Sequence, residues 1–306
     1  MITATAWAAT VAAIVGLLAL ELLIDRRRTG PVSMRAAAIW SIVYLVIALG
    51  FGVVLGLSAG WDLGVEYLAG YAVEKSLSID NLFVFLVIIT TFAIPESQRP
   101  RLLTIGIVAA LGIRVILIAA GAAMLEAFSF TFALFGAVLL LTSVHLLRHR
   151  GEQPDVTASP VVRRLRTVIP TPAGLALATM VGADAVFGLD SVPAVYGVSD
   201  EPFVVFGANA FALLGLRPLF FLVAGLVRRL VYLPLGMAAV LAFIGVKLIL
   251  HTAHAELAAV PTISTPLSLA VIFALLGTAT VASLARTRSQ QMGSRPHSAG
   301  APEAAG

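Results

Sequence analysis

Apolar residues run along this chain in long blocks separated by short polar or basic punctuation. Nine blocks approach the ~20 residues that cross a ~30 Å hydrocarbon layer as a helix. They cover roughly 4–24, 34–58, 62–92, 101–124, 127–147, 173–197, 203–226, 230–251 and 265–285. In lipid a single segment satisfies its own backbone only as a helix. The pattern therefore predicts an all-α polytopic membrane protein with about nine transmembrane helices. Residues 149–172, a Pro-rich basic linker, and 287–306, a Ser/Gly/Ala/Pro tail, lack an apolar period and are expected to be irregular.

Composition agrees with the pattern. The chain is 59% hydrophobic and 12% charged, about half the charge of a soluble domain. It contains no cysteine, which removes disulfides, thiolate metal sites and Cys nucleophiles from consideration. The net charge of +4 would suit nucleic acid, but the basic residues are distributed by topology. Arg26, Arg27 and Arg28 follow the first apolar block, with no basic leader before it, so that block reads as a retained span rather than a cleaved signal. Such a flank keeps the next loop cytoplasmic and places the N-terminus outside. With nine spans, sixteen of the twenty Lys and Arg then fall in cytoplasmic loops and ends, while Asp200 and Glu201 fall outside. The expected location is a bacterial inner membrane, N-out and C-in, with the bilayer as partner and no nucleic acid.

A repeat lies inside the chain. "EKSLSID-N" sets acids at 74 and 80 before an amide, and "DAVFGLD-S" sets acids at 184 and 190 before a hydroxyl. Downstream, Arg114 in "ALGIRVILIAAG" aligns with Arg217 in "LLGLRPLFFLVAG", and His145 aligns with Lys247, at offsets of 110, 103 and 102 residues. Each unit holds three spans, and an odd number inverts the second copy. Inverted repeats are the architecture of many secondary transporters, with substrate sites at their interface. The organisation read from this is two accessory helices in 1–61, a first repeat in 62–148, the linker 149–172, a second repeat in 173–251, a final span in 252–286 and a disordered tail in 287–306.

The remaining basic residues, Lys75, Arg114, Arg217 and Lys247, sit within spans opposite Glu74, Asp80, Asp184 and Asp190. Structural ion pairs are one reading of this balance. Buried pairs add little net stability, however, and intramembrane acids are functional hypotheses by default. Asp80 with Asn81, and Asp190 with Ser191, each join a carboxylate to a neutral oxygen, and Glu74, Asp184 and Asn209 add further oxygens. All-oxygen donors suit hard cations such as Mn²⁺, Mg²⁺ and Ca²⁺, or protons. Six residues leave two acids about 120° apart on an ideal helix, so one straight helix cannot chelate with both. Pro193, which cannot donate to the Leu189 carbonyl, and Gly188 are expected to break the second copy. The first copy is expected to stay continuous. The four bases would balance the acids when no cation is loaded.

Other candidates are weaker. His251, His254 and Glu256 read as a surface cluster, and His145 and His149 as interfacial residues. No phosphate loop, metalloprotease motif or Ser–His constellation is present, so no enzyme is expected. The only ligand expected is the transported cation, with no permanently bound cofactor.

"YLAGYAVEKSLSIDNLFVF" and "DAVFGLDSVPAVYGVSDEPFVVFGANAFALLGLRPLFF" resemble the TerC family of bacterial membrane proteins, including its Alx-type members. The resemblance covers roughly 62–251 and implies manganese efflux with Glu74, Asp80, Asp184 and Asp190 lining the metal site. It also implies an association with tellurium-resistance clusters, which keeps open a non-transporting scaffold that works with other stress-resistance membrane proteins. Two positions depart from the family pattern. Val181 stands where a Glu is usual, and "GAN" at 207–209 replaces "TSN" while keeping Asn209.

Overall fold

A computed structural model describes residues 2–27, 33–128, 130–148, 160–226, 232–257 and 260–293. Among them the regular elements are α-helices: α1 Ala4–Arg27, α2 Met34–Ala59, α3 Trp61–Thr91, α4 Arg99–Ala127, α5 Thr131–Arg148, α6 Pro160–Val168, α7 Pro172–Tyr196, α8 Pro202–Leu214, α9 Leu216–Leu226, α10 Leu233–Glu256 and α11 Thr265–Gly293. Seven of them (α1, α2, α4, α5, α7, α10 and α11) are long and apolar enough to cross a membrane. The bent pair α8 and α9 makes an eighth if it forms one span. The long α3, which carries Asp62, Glu66, Glu74, Lys75 and Asp80, is not among them. The chain is thus a multi-pass, all-helical membrane protein.

The centre of the bundle is α8. Every residue from Phe203 to Leu214 is buried, as expected for a helix that is apolar all round. It packs against α1, α2, α3 and α4, while α3 also meets α7 and α4 meets α7. One apolar cluster gathers Tyr67, Val195, Phe203, Phe211 and Ile244. A second, at the other end of α3, gathers Phe85, Ile89, Leu103, Leu175 and Met180. Exposed Val, Leu and Ile residues cover the outside of α1 and α2, where lipid rather than water is the solvent.

Lipid offers no hydrophobic drive between helices, so close contact relies on small residues. The α5–α10 seam shows this. A Cβ on Gly136 would lie 2.7 Å from the Gly245 carbonyl oxygen, and one on Gly245 would lie 2.9 Å from that of Gly136. Both obstacles are backbone and cannot rotate away. Gly245→Ala is therefore expected to lower stability by about 1–3 kcal/mol through overpacking, read as a drop in the thermal midpoint of detergent-solubilised protein.

Three local features differ from the sequence reading. The expected break at Pro193 is absent: α7 runs unbroken from Pro172 to Tyr196 with Pro193 inside it. Because Pro193 lies in the last turn, it removes one bond to Leu189 and the helix ends soon after. The break falls instead between α8 and α9, which meet at 42°. There Gly215 ends α8, and Pro218 cannot donate to the Leu214 carbonyl. The linker is not irregular throughout, since α6 forms within it, burying Val162 and packing Leu165 on the second apolar cluster. Likewise α11 continues to Gly293, into the stretch expected to be a disordered tail, whereas 294–306 lies outside the described residues.

Candidate functional site: a buried charge cluster

The long α3 and α7 bring Glu74 and Asp184 to one place, and Arg114 of α4 joins them. All three side chains are buried. The Arg114 Nη1 donates to Glu74 Oε1 and, at 2.6 Å, to Asn209 Oδ1, while Nη2 reaches Asp184 Oδ1 at 3.5 Å. The fork shape of the guanidinium lets one side chain serve acceptors on three helices, which an ammonium could not do in fixed geometry. Asn209 is oriented by its own Nδ2, which donates to the Val205 carbonyl at 3.0 Å. Ser78, one turn after Glu74, donates to Glu74 Oε1 at 3.2 Å. Gly188 makes room beside the cluster: a Cβ there would stand 2.4 Å from Leu117 Cδ1 and 3.8 Å from Arg114 Nε.

The cluster is not saturated. Glu74 Oε2, Asp184 Oδ2 and Arg114 Nε within it, and Ser191 Oγ further along α7, are buried without a hydrogen-bond partner. Unpartnered buried polar atoms are costly and rare, so these three oxygens are the feature most in need of an explanation. Asp190 is partly exposed and lies within electrostatic reach of Glu74 and Arg114. Among the described residues no group of three or more Asp, Glu or His side chains is spaced to hold a metal ion. A guanidinium bridges the acids instead.

Of the residues singled out from sequence, Glu74, Asp184, Asn209 and Arg114 are thus in direct contact, with Asp190 nearby. Ser191 and Asn81 are buried. The backbone of Asp80 continues α3, and its side chain lies outside the described residues. Among the described residues, no ion pair joins Lys75, Arg217 or Lys247 to Glu74 or Asp184. Lys75 Nζ donates to the Ala212 carbonyl at 3.1 Å, at the end of α8. That carbonyl belongs to the last turn, where helical acceptors lack backbone donors, and a Cβ on Gly215 would sit 2.9 Å from Nζ.

Arg217 pairs with Glu21 of α1, Nη1 to Oε1 at 3.6 Å, and Tyr44 of α2 donates to Glu21 Oε2 at 3.3 Å. Lys247 lies within electrostatic reach of Glu66, whose Oε2 accepts from Ser199 Oγ at 2.6 Å. Glu21 and Glu66 are buried or half-buried acids that the sequence reading passed over. Both stand inside predicted spans, so counting every acid in those spans would have found them. Of the histidines, His254 Nδ1 lies 2.6 Å from the Val260 carbonyl and His251 packs against Phe132. His149 and the side chain of Glu256 lie outside the described residues.

Comparison with known proteins assigns the chain. The model of the integral membrane protein TerC family matches residues 59–291. The uncharacterised membrane protein STKORF319 of Myxococcus xanthus is 36% identical over 304 residues, 92% of each chain. The uncharacterised membrane protein Rv2723 of Mycobacterium tuberculosis is 39% identical over 272 residues, 81% of this chain and 68% of its own. Alx of Escherichia coli, named as a candidate membrane-bound redox modulator, is 31% identical over 300 residues, 88% of this chain and 91% of its own. No solved structure matches. With the family model covering the region that holds Glu74, Arg114, Asp184 and Asn209, this chain belongs to the TerC family of integral membrane proteins.

Proposed function

We propose that this protein is a secondary transporter that exports a divalent cation, manganese first among the candidates, from a bacterial cytoplasm in exchange for protons. The observation that carries the reading is the charge cluster. Carboxylates from α3 and α7, one in each sequence repeat, meet in the bundle and keep unpartnered oxygens. In this reading nine spans cross the inner membrane, N-out and C-in, and the two repeats rock against each other.

Arg114 is the internal counter-cation. It holds Glu74 and Asp184 together while no cargo is present and gives way when a divalent ion takes the same oxygens. Glu74, Asp184, Asp190 and Asp80 supply the negative charge, and Ser191, Asn81 and Asn209 the neutral oxygens. Lys75, tied to the end of α8 at its break, links the cluster's helix to the one bent element. A half-helix end at membrane depth is a common place for coupling ions. The oxygen-only donor set favours hard cations, and Val181, in place of the family's usual Glu, leaves one carboxylate fewer to hold them.

A second reading rests on the same bonds. Arg114 ties α3, α4, α7 and α8 together, as a scaffold's structural ion pairs would. The name of Alx adds a redox role, but this chain has no cysteine for thiol–disulfide exchange.

Metal content of cells with and without the protein, loaded in turn with Mn²⁺, Mg²⁺, Ca²⁺ and Zn²⁺, distinguishes the readings. Export predicts a several-fold lower steady-state level of one hard cation, Mn²⁺ above the others, and unchanged Zn²⁺. Equal content of all four ions would favour the scaffold.

A further inference from the structure

The short helix α6 has a role that the charge cluster does not require. It is amphipathic: Val162 is 3% exposed and Leu165 packs inward, while Arg163, Arg164 and Arg166 all face outward. Among the described residues none of these arginines has a carboxylate within ion-pair distance. Val168, at its end, is 75% exposed. Its apolar face is taken up by the protein, so what α6 presents outward is basic, with Val168 at the edge, the kind of charge that attracts anionic lipid.

A cavity of about 420 Å³ opens beside it, lined among others by Thr91, Phe92, Arg166, Ile169, Thr171 and Leu175. Thr91 is the last residue of α3, and Thr171 is the N-cap of α7. The cavity therefore sits where α3 ends and α7 begins. Its chemistry is divided, with one guanidinium and two hydroxyls against Phe, Ile, Leu and Pro. Thr171 Oγ1 accepts from the Gly174 amide at 3.3 Å and keeps its own hydrogen to donate. The α7 N-terminus adds partial positive charge.

We propose that this corner is a binding site for an anionic phospholipid. Arg166 and the hydroxyls of Thr91 and Thr171 hold the headgroup phosphate, and the first acyl carbons lie on Phe92, Ile169 and Leu175. Arg163 and Arg164 supply the field that selects an anionic over a zwitterionic headgroup. A free phosphate would fill the polar half alone and leave the apolar wall bare. Basic pockets between helix ends are a recurring form of anionic-lipid recognition.

The test is lipid titration of the delipidated, detergent-purified full chain, read by native mass spectrometry and by thermal midpoint. The probes are phosphatidylglycerol, phosphatidylcholine and inorganic phosphate. Phosphatidylglycerol is expected to bind and raise the midpoint, and the other two are not. At about 1 kcal/mol per basic residue near an anionic headgroup, R166Q weakens binding roughly fivefold and R163Q/R164Q/R166Q roughly a hundredfold. R166K retains most of it, and R35Q, an exposed arginine at the start of α2, changes nothing. Equal binding of phosphatidylcholine, an equal effect of phosphate alone, or a loss in R35Q matching that in R166Q would each overturn the site. Should R166Q fold poorly, R163Q/R164Q, expected to lose about 25-fold, decides between the same outcomes. None of these readouts depends on metal transport.

Discussion

Replacing Arg114 by leucine is expected to destabilise the folded protein by about 3–5 kcal/mol, the largest effect of any single change considered. The guanidinium is wholly buried and contacts acceptors on α3, α7 and α8. Its removal leaves two carboxylates facing each other without a counter-charge, and removing one partner of a buried ionic group carries a cost of that size. In a membrane bundle neither acid can reach water without unpacking its helix. Arg114→Lys should fall between, because an ammonium keeps the charge but cannot fork to three acceptors. The triple variant R114L/E74Q/D184N should recover most of the loss, since neutral amides need no counter-ion. The measurement is the thermal midpoint and the membrane-inserted yield of each variant. A leucine variant as stable as the parent would remove the cluster's claim to organise the bundle.

Glu74→Gln is expected to abolish cation flux, by at least about thirtyfold, with stability close to that of the parent. Glutamine is nearly isosteric, and its carbonyl oxygen still accepts from Arg114 and Ser78. The fold keeps the Arg114 bonds to Asp184 and Asn209. What disappears is the negative charge at the unpartnered Oε2. A divalent ion and a unit charge about 4 Å apart attract by about 8 kcal/mol at an effective dielectric near 20. If dehydration of the ion offsets three quarters, about 2 kcal/mol remains, or roughly thirtyfold. Flux into proteoliposomes, set beside thermal midpoint and membrane abundance, separates the two readings. Loss of flux with normal abundance belongs to a transporter, and loss of abundance with normal behaviour otherwise belongs to a scaffold.

The two variants probe opposite sides of one balance. Arg114 without the acids, or the acids without Arg114, is an uncompensated buried charge. Together they hold four helices in place while keeping carboxylate oxygens unsatisfied. In the proposed export cycle, a cation that takes over those oxygens would release a guanidinium already linked to α8, the helix that leads into the bent junction with α9. Binding and movement would then be coupled through a side chain the protein carries itself.

Much of this protein is determined by local sequence. Apolar blocks long enough for a bilayer dictate helices, because no other single segment satisfies its backbone in lipid, and the helices appear where those blocks are. Glu74, Asp184, Arg114 and Asn209, which form the buried cluster, stood out in the sequence because charge and amide within an apolar run are expensive wherever the run packs. The pairing was not legible. Arg217 and Arg114 occupy matching places in the repeat, yet Arg217 meets Glu21, which also accepts from Tyr44, both from helices outside the two copies. Lys75, adjacent to Glu74, turns to the end of α8. Which acid faces which base depends on the rotation and depth of whole helices, and no spacing along one segment encodes either.

The break shows the same division. Pro193 and Pro218 each remove a helical donor, but only the second sits where Gly215 ends a helix and a lysine reaches the carbonyls left behind. A proline says that a bond is missing; its neighbours in space decide whether the helix bends. The α6 helix was hidden for a related reason. Nine residues with three arginines are too short and polar to register as an apolar period, and they become a helix because Val162 and Leu165 find the second apolar cluster to pack on.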